Sequence, residues 1–196
     1  MIIRVVRLAL LAGALALVGC TDAAGEPSTL PNVTAPPSET PAPTESPTAE
    51  PPVEPDNAHE YSAEGVEAFT LYAIEVINYA YQTNDVTYLE QIMTPDCQFC
   101  SNTIDRLVTV GDAGGRIEGG QLIPKLDGII SISGPTEGVQ TSAGIEMSIT
   151  PSTTFDAAET VRDRQPDDDF YAIFNLTREE DAWKLEEIFR TDSARS

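Results

Sequence analysis

The spacing of apolar residues after position 61 predicts a long first helix. Between Ser62, a typical capping residue, and about Gln82, apolar side chains recur every three or four positions. They are Val66, Phe69, Ala73, Val76, Ile77 and Ala80, with Tyr72 and Tyr79 at the margins. Only a narrow polar sector remains, so we expect a helix that other elements surround on most sides.

A short second helix is predicted directly after the first. Thr87 and Glu90 have the spacing of a capping box, and the helix would run through Leu89 and Ile92. Pro95 disfavours helical backbone at the residue before it, so the helix should end there.

A third helix is predicted to begin at Ser101 or Asn102, either of which can cap it. Its apolar face consists of Ile104, Leu107 and Val108. Gly111 has the position of a terminating glycine, so we expect the helix to stop near it.

After residue 115 the period of the pattern changes from helix to strand. The predicted strands lie near Ile117 and at residues 129–133, 139–149, 170–176 and 183–189. In the segment 139–149 apolar and polar residues alternate, which directs Val139, Ala143, Ile145 and Met147 toward the core. The nearly apolar segment 170–176 suits a central strand, and a turn at 179–181 returns the chain antiparallel. Three helices followed by four to six antiparallel strands predict an α+β fold.

The first twenty residues have the pattern of an export signal. Arg4 and Arg7 precede an apolar run at 8–18, which is too short for the roughly twenty residues that span a membrane. The run ends in Leu-Val-Gly-Cys at 17–20, which resembles the lipobox of bacterial lipoproteins. The resemblance implies cleavage before Cys20, a diacylglyceryl group such as a palmitate-containing one on its thiol, and anchoring at the outer face of the cytoplasmic membrane.

Residues 21–60 have the composition of a spacer. They include ten prolines and eight acidic residues, with no Lys or Arg. Such a segment cannot bury enough apolar surface to fold by itself. The sequence therefore predicts a signal peptide at 1–19, a lipidated Cys20 with a disordered linker over 20–60, one domain at 61–192 and a tail at 193–196.

The formal charge of −21 narrows the choice of partners. An acidic surface repels phosphate backbones and anionic lipid headgroups. Nucleic-acid binding is therefore not expected, and the membrane contact would be made through the lipid on Cys20.

Two levels of family resemblance follow from these patterns. The surrounded helix, two short helices, hairpins and the ending Asp-Ala-Trp-Lys-Leu-Glu-Glu-Ile resemble the NTF2-like cone fold. More narrowly, Ala-Phe at 68–69, Asn-Tyr-Ala-Tyr at 78–81, the Asp-Cys-x-x-Cys at 96–100 and the glycines after it resemble a family of uncharacterised actinobacterial lipoproteins. The resemblance spans residues 61–120 well and the remainder loosely. It implies a curved, mainly antiparallel sheet around the first helix and an envelope location, and it implies no activity.

Cys97 and Cys100 form a pair in a compartment that favours oxidation. A structural disulfide is the favoured interpretation. One alternative is a redox pair, since a thiolate just before a helix is stabilised by the helix dipole. The other is a zinc site, which would need two further ligands.

The domain has few residues suited to catalysis. The single histidine, His59, falls in the predicted linker, so histidine-dependent triads and acid-base pairs are not expected inside the domain. Glu75 and Glu146 could serve as isolated carboxylates, but neither has an identifiable partner. We expect neither a cofactor nor a metal site, and no catalytic residue is assigned.

The interior of the cone is the candidate binding site. We predict at most a small, mainly apolar pocket formed by Phe69, Tyr72, Ala73, Val76, Tyr79, Ala80, Ala143 and Ile145. The leading hypothesis is an envelope lipoprotein that presents a non-catalytic module, binding a small apolar ligand or another envelope protein. The alternative is an NTF2-like enzyme that uses carboxylate or tyrosine groups for acid-base chemistry.

Overall fold

The computed structural model describes residues 49–125, 131–137 and 139–191. After a 3₁₀ turn at Asp56–His59 the helices are α1 (Ala63–Thr83), α2 (Thr87–Ile92) and α3 (Gln98–Asp112). The strands are β1 (Arg116–Gly119), β2 (Leu122–Pro124), β3 (Ser131–Ser133), β4 (Thr141–Ile149), β5 (Ser152–Phe155), β6 (Val161–Gln165), β7 (Asp168–Glu179) and β8 (Ala182–Thr191). Within these ranges the order of elements is the predicted α+β order, with the three α-helices ahead of the strands.

Helix α1 forms where the apolar period predicts it. The hydroxyl of its capping residue Ser62 accepts a hydrogen bond from the Gly65 amide at 3.0 Å. The helix ends before Asn84, whose backbone is left-handed and whose N–H donates a hydrogen bond to the Ala80 carbonyl. Most of its circumference is buried, and after Ala63 the exposed residues are acidic or amide side chains such as Glu67 and Glu75.

The two short helices begin differently from the prediction. Asp85, not Thr87, supplies the side chain at the start of α2, because its carboxylate accepts from the Thr87 amide at 3.0 Å. Helix α3 begins at Gln98, three to four residues before the predicted caps, and its N-terminal cap is Cys97. The predicted apolar face of α3 is only partly correct, since Val108 is 41% exposed.

The strands form two antiparallel sheets. In the larger sheet the order is β2-β4-β7-β8, and β3 also pairs with β4, whereas the smaller sheet has the order β1-β5-β6. Strand β7 is central, as predicted from its apolar run, because it pairs with β4 on one side and β8 on the other. Residues 129–130 of the predicted strand 129–133 lie outside the described residues.

The two sheets continue one another across a break in the hydrogen-bond ladder. Gly119 lies opposite Ser152 in the smaller sheet, and Leu122 lies opposite Ile149 in the larger one, so the register does not change across the break. The same holds between β5 and β6 and between β4 and β7. Gly119 is required at the break because its φ is +78° and a Cβ would lie 2.0 Å from the Pro151 carbonyl oxygen.

Helix α1 packs against both sheets. Its buried face joins the inner rows of β4, β7 and β8 in one apolar cluster. Near its C-terminus Ala80 joins Leu107 of α3 and Ile117 of β1 in a second cluster. The core therefore follows α1 along its length.

Two predictions about the domain boundary and the core row are corrected. Val139 lies before β4 and is 51% exposed, so the inward row of this strand starts at Thr141. The sequence predicts that residues 56–60 belong to the linker, yet Ala58 is fully buried. The Glu60 carbonyl also accepts from the Trp183 indole N–H at 3.0 Å, which ties this segment to β8. The signal peptide, Cys20, linker residues 21–48 and tail residues 193–196 lie outside the described residues.

Candidate functional site

An apolar cavity of about 120 Å³ lies between the larger sheet and the helices. Its lining comprises Tyr81, Phe99, Gly120, Leu122, Met147, Ile149, Phe170, Ala172, Phe174, Ile188 and Arg190. The volume is close to the roughly 150 Å³ of an engineered apolar cavity that binds benzene. The space can thus hold a small ring or a short branched alkyl group.

The alternation of strand side chains produces the sheet wall of the cavity. Met147 lies opposite Phe170 across β4 and β7, and Ala172 lies opposite Arg190 across β7 and β8. Because residues two apart on a strand share a face, these side chains and their neighbours project to the same side as the core. Phe99 of α3 closes the opposite side.

Small residues account for the empty space. Ala172 is fully buried at the centre of the sheet wall, where a larger side chain would project into the cavity. Gly120 has a φ of +76° and adds no side chain beside the Tyr81 ring. The larger side chains around Ala172 and Gly120 leave this space empty, so a cavity remains.

The charge at the cavity edge is balanced. Arg190 is the one charged side chain among the described residues of the lining, and its side chain is 47% exposed. Its Nη2 donates to the Asp168 carboxylate, and its guanidinium carbon lies 4.3 Å from the centroid of the Phe170 ring. The pair neutralises the guanidinium, so the edge favours a neutral ligand over an ion.

None of the predicted pocket residues belongs to this lining. Phe69, Tyr72, Ala73, Val76, Ala143 and Ile145 are buried in the main core cluster, and Ala80 is buried in the second one. Tyr79 is partly buried on the outer side of α1, where its ring meets Tyr88 edge-on at 5.4 Å. The cavity lies beside the buried face of α1, with Tyr81 as its lining residue from that helix.

The sequence pattern contained a partial signal for the true lining. The alternation in β4 predicts that Met147 points inward, and Met147 lines the cavity. Phe99 and Arg190 carried no such signal, because their place depends on contacts between segments far apart in the chain.

One carboxylate candidate for acid-base chemistry lies near tyrosines, since Glu75 acts on the pKa of Tyr72 and lines a surface depression together with Tyr79. Burial raises the pKa of the Tyr72 hydroxyl above its usual value, and the acidic side chains of Glu54 and Glu75 add to this, so the phenol stays protonated. Glu75 and Glu146 are exposed on different elements. His59 lies in the 3₁₀ turn, with its Nδ1 3.6 Å from a carboxylate oxygen of Glu54.

The structure contains a disulfide between Cys97 and Cys100, and both residues are fully buried. The bridge joins the residue before α3 to its first turn. Among the described residues, no three histidine, cysteine or acidic side chains are grouped so that they could hold a metal ion. No helix in the described ranges is both long enough and apolar enough to cross a membrane.

Comparison with known sequences identifies one family. The model of a family of unknown function, DUF6318, matches residues 37–188. None of the curated proteins matches the chain.

Two solved structures are similar to the chain at low sequence identity. The intermembrane space region of the chloroplast protein ARC6 is 12% identical, with a TM-score of 0.50 over 68% of this chain and 99% of that one. A putative scytalone dehydratase from Novosphingobium aromaticivorans is 15% identical, covering 68% of this chain and 93% of that one. Its TM-score is 0.32. The first similarity concerns the fold alone.

Proposed function

We propose that this chain, which belongs to the DUF6318 family of unknown function, is an envelope lipoprotein whose domain binds a small neutral apolar molecule without transforming it. The observation that carries the proposal is the apolar cavity beside α1. We assign the domain to the NTF2-like class for two reasons. Its three α-helices precede its strands, and its strands continue past α1 across the break between the two sheets. The lipid on Cys20 would hold the domain at the outer face of the cytoplasmic membrane.

The chemistry of the cavity favours binding. Ligand sites are typically concave and mainly apolar, with a few polar groups that orient the ligand. Here the polar contribution comes from Arg190, which is already paired with Asp168. A neutral ligand also suits a chain with a net charge of −21, because long-range repulsion disfavours anions.

The alternative, an enzyme using paired carboxylates, finds less support. Paired acids that divide acid and base roles usually stand about 5 to 9 Å apart in one pocket. The described lining of the cavity includes no carboxylate. Asp168 lies beside the cavity edge, and its contact there is the ion pair with Arg190.

Benzene binding tests the proposed function. The chain has three methionines, of which Met147 lines the cavity, whereas Met93 packs on the core outside the lining. In the full chain labelled with ¹³C at the methionine methyl groups, benzene should shift the Met147 resonance saturably and leave Met93 almost unchanged. Equal, non-saturating shifts of both resonances would mean that benzene does not occupy the cavity.

The anchor is a separate part of the proposal, and it rests on the Leu-Val-Gly-Cys sequence at 17–20. A stable anchor needs two acyl chains, since one chain holds only weakly. Replacing Cys20 with Ala should move the protein from the membrane fraction to the soluble fraction, and Thr21→Ala is the matched control. Unchanged membrane retention of the Cys20→Ala protein, or a mature N-terminus without lipid, would contradict the anchor.

A further inference from the structure

One carboxylate joins two walls of the cavity that are far apart in sequence. Phe99 lines the cavity from α3, and Ile188 lines it from β8. Glu187 Oε1 accepts from the Phe99 amide at 3.0 Å and from the Ile188 amide at 2.9 Å. Its Oε2 accepts from the Gln98 amide at 3.0 Å. The side chain thus binds the start of α3 to its own strand.

The start of α3 favours this contact. The first amides of a helix have no partner inside the helix, and the helix dipole places positive charge there. A carboxylate that accepts several such amides makes charge-assisted hydrogen bonds, which are stronger than neutral ones. Glu187 is partly buried, so water competes less for its oxygens than at an exposed site.

The disulfide constrains the backbone of Gln98 and Phe99, whose amides donate to Glu187. Gln98 and Phe99 lie between the bridged Cys97 and Cys100, and the Cys100 amide donates to Cys97 Sγ at 3.2 Å. The short covalent ring limits how the backbone of this segment can move. The carboxylate then fixes where the segment stands relative to β8.

We infer that Glu187 is the positioning residue of the cavity. It sets the separation of the Phe99 and Ile188 walls, and it thereby sets the affinity for a small apolar ligand. The inference rests on the proposed function, because it concerns the same cavity. Glu187 itself is outside the described lining. It acts on the ligand indirectly, through the positions of Phe99 and Ile188.

Substitution of Glu187 tests the inference through the affinity for benzene. Glu187→Ala removes all three hydrogen bonds, so benzene should bind at least about fivefold more weakly in the Met147 titration. Glu187→Gln retains one acceptor oxygen, so its affinity for benzene should lie between the affinities of the wild-type protein and Glu187→Ala. The matched control is Glu186→Ala, since Glu186 pairs with Gln140 and lies outside the described lining. Each affinity is measured at a temperature well below the thermal unfolding midpoint of the variant.

Hydrogen exchange supplies a readout that does not depend on the ligand. In Glu187→Ala the amides of Phe99 and Ile188 should exchange faster, whereas the Cys100 amide, which bonds to sulfur, should stay protected. A general loss of stability would accelerate all three together, which would contradict a local positioning role.

The outcomes separate the inference from the proposed function. If wild-type protein binds benzene and Glu187→Ala binds it equally well, the inference is wrong and the proposed function stands. If wild-type protein does not bind benzene at Met147, the proposed function fails and the effect on affinity fails with it. Unchanged exchange at Phe99 and Ile188 in Glu187→Ala overturns the positioning role in either case.

Discussion

At the scale of single residues, the cavity depends on the size of a few side chains in the sheet. Ala172 and Ala143 are both fully buried on the inner face of neighbouring strands. Both belong to the main apolar cluster, but Ala172 also lines the cavity and Ala143 does not. The same substitution at the two positions should therefore have opposite effects on stability.

Ala172→Val should raise the free energy of unfolding by about 0.5–1 kcal/mol, because two added methyl groups fill empty space in a strand that favours β-branched residues. Ala143→Val should lower the free energy of unfolding by about 1–3 kcal/mol, because it overpacks a filled core. Urea unfolding of both variants measures the two changes. A loss of stability in Ala172→Val as large as that in Ala143→Val would indicate that the cavity cannot accommodate the two added methyl groups.

A second single-residue effect concerns the start of α2. Hydrogen bonds from the Thr87 hydroxyl and amide hold the pKa of Asp85 below its usual value, with a small opposing contribution from burial. A lowered pKa in the folded state means that ionised Asp85 stabilises the fold above the unfolded pKa of about 3.9 and loses this effect as the pH falls.

Asp85→Ala should lower the free energy of unfolding at neutral pH by about 0.5–1 kcal/mol, at the low end for a helix cap because the carboxylate is close to solvent. The difference from wild type should shrink below about pH 4. Asp85→Asn keeps an acceptor oxygen, so its difference from Asp85→Ala should be nearly independent of pH. Thermal unfolding between pH 3 and pH 7 provides the measurement, and a wild-type advantage over Asp85→Ala that is as large at pH 3 as at pH 7 would contradict the assignment.

At the scale of elements, periodicity predicted those elements that bury one face. Helix α1 and strands β4, β7 and β8 followed their apolar patterns within a few residues. Strand β6 was missed because all five of its residues are exposed, and Val-Arg-Asp-Arg-Gln carries no apolar period. Short strands β2 and β5 were missed for a related reason, since three or four residues are too few to establish alternation.

Long-range contacts explain the error at α3. The sequence around Ser101 offers ordinary capping residues, and the prediction placed the helix start there. The actual start at Gln98 receives its acceptors from Glu187, which is 89 residues away. Local sequence contains no sign of such a partner, so neither the helix start nor the position of Phe99 was predictable from it.

At the scale of the whole molecule, the break in the sheet lies at one end of the cavity wall, because Leu122 and Ile149 pair beside the break and both line the cavity. Gly119, Pro151 and Pro166 lie near the break on successive strands, and each is visible in the sequence as a turn or strand-breaking residue. That they align across the sheet follows only from the register. The predicted pocket residues lie outside the lining of this cavity for the same reason, because the apolar face of α1 predicts burial but does not reveal where burial is incomplete.

The proposed function depends on the apolar cavity beside α1 being open to a small nonpolar guest. Crystals of the protein under xenon pressure provide the test, because xenon enters empty apolar cavities with little disturbance of the protein. A xenon atom should be enclosed by Met147, Phe174 and Phe99, with Ala172 beneath it. A structure in which these side chains fill the space, and in which xenon binds elsewhere or not at all, would exclude the proposed binding site.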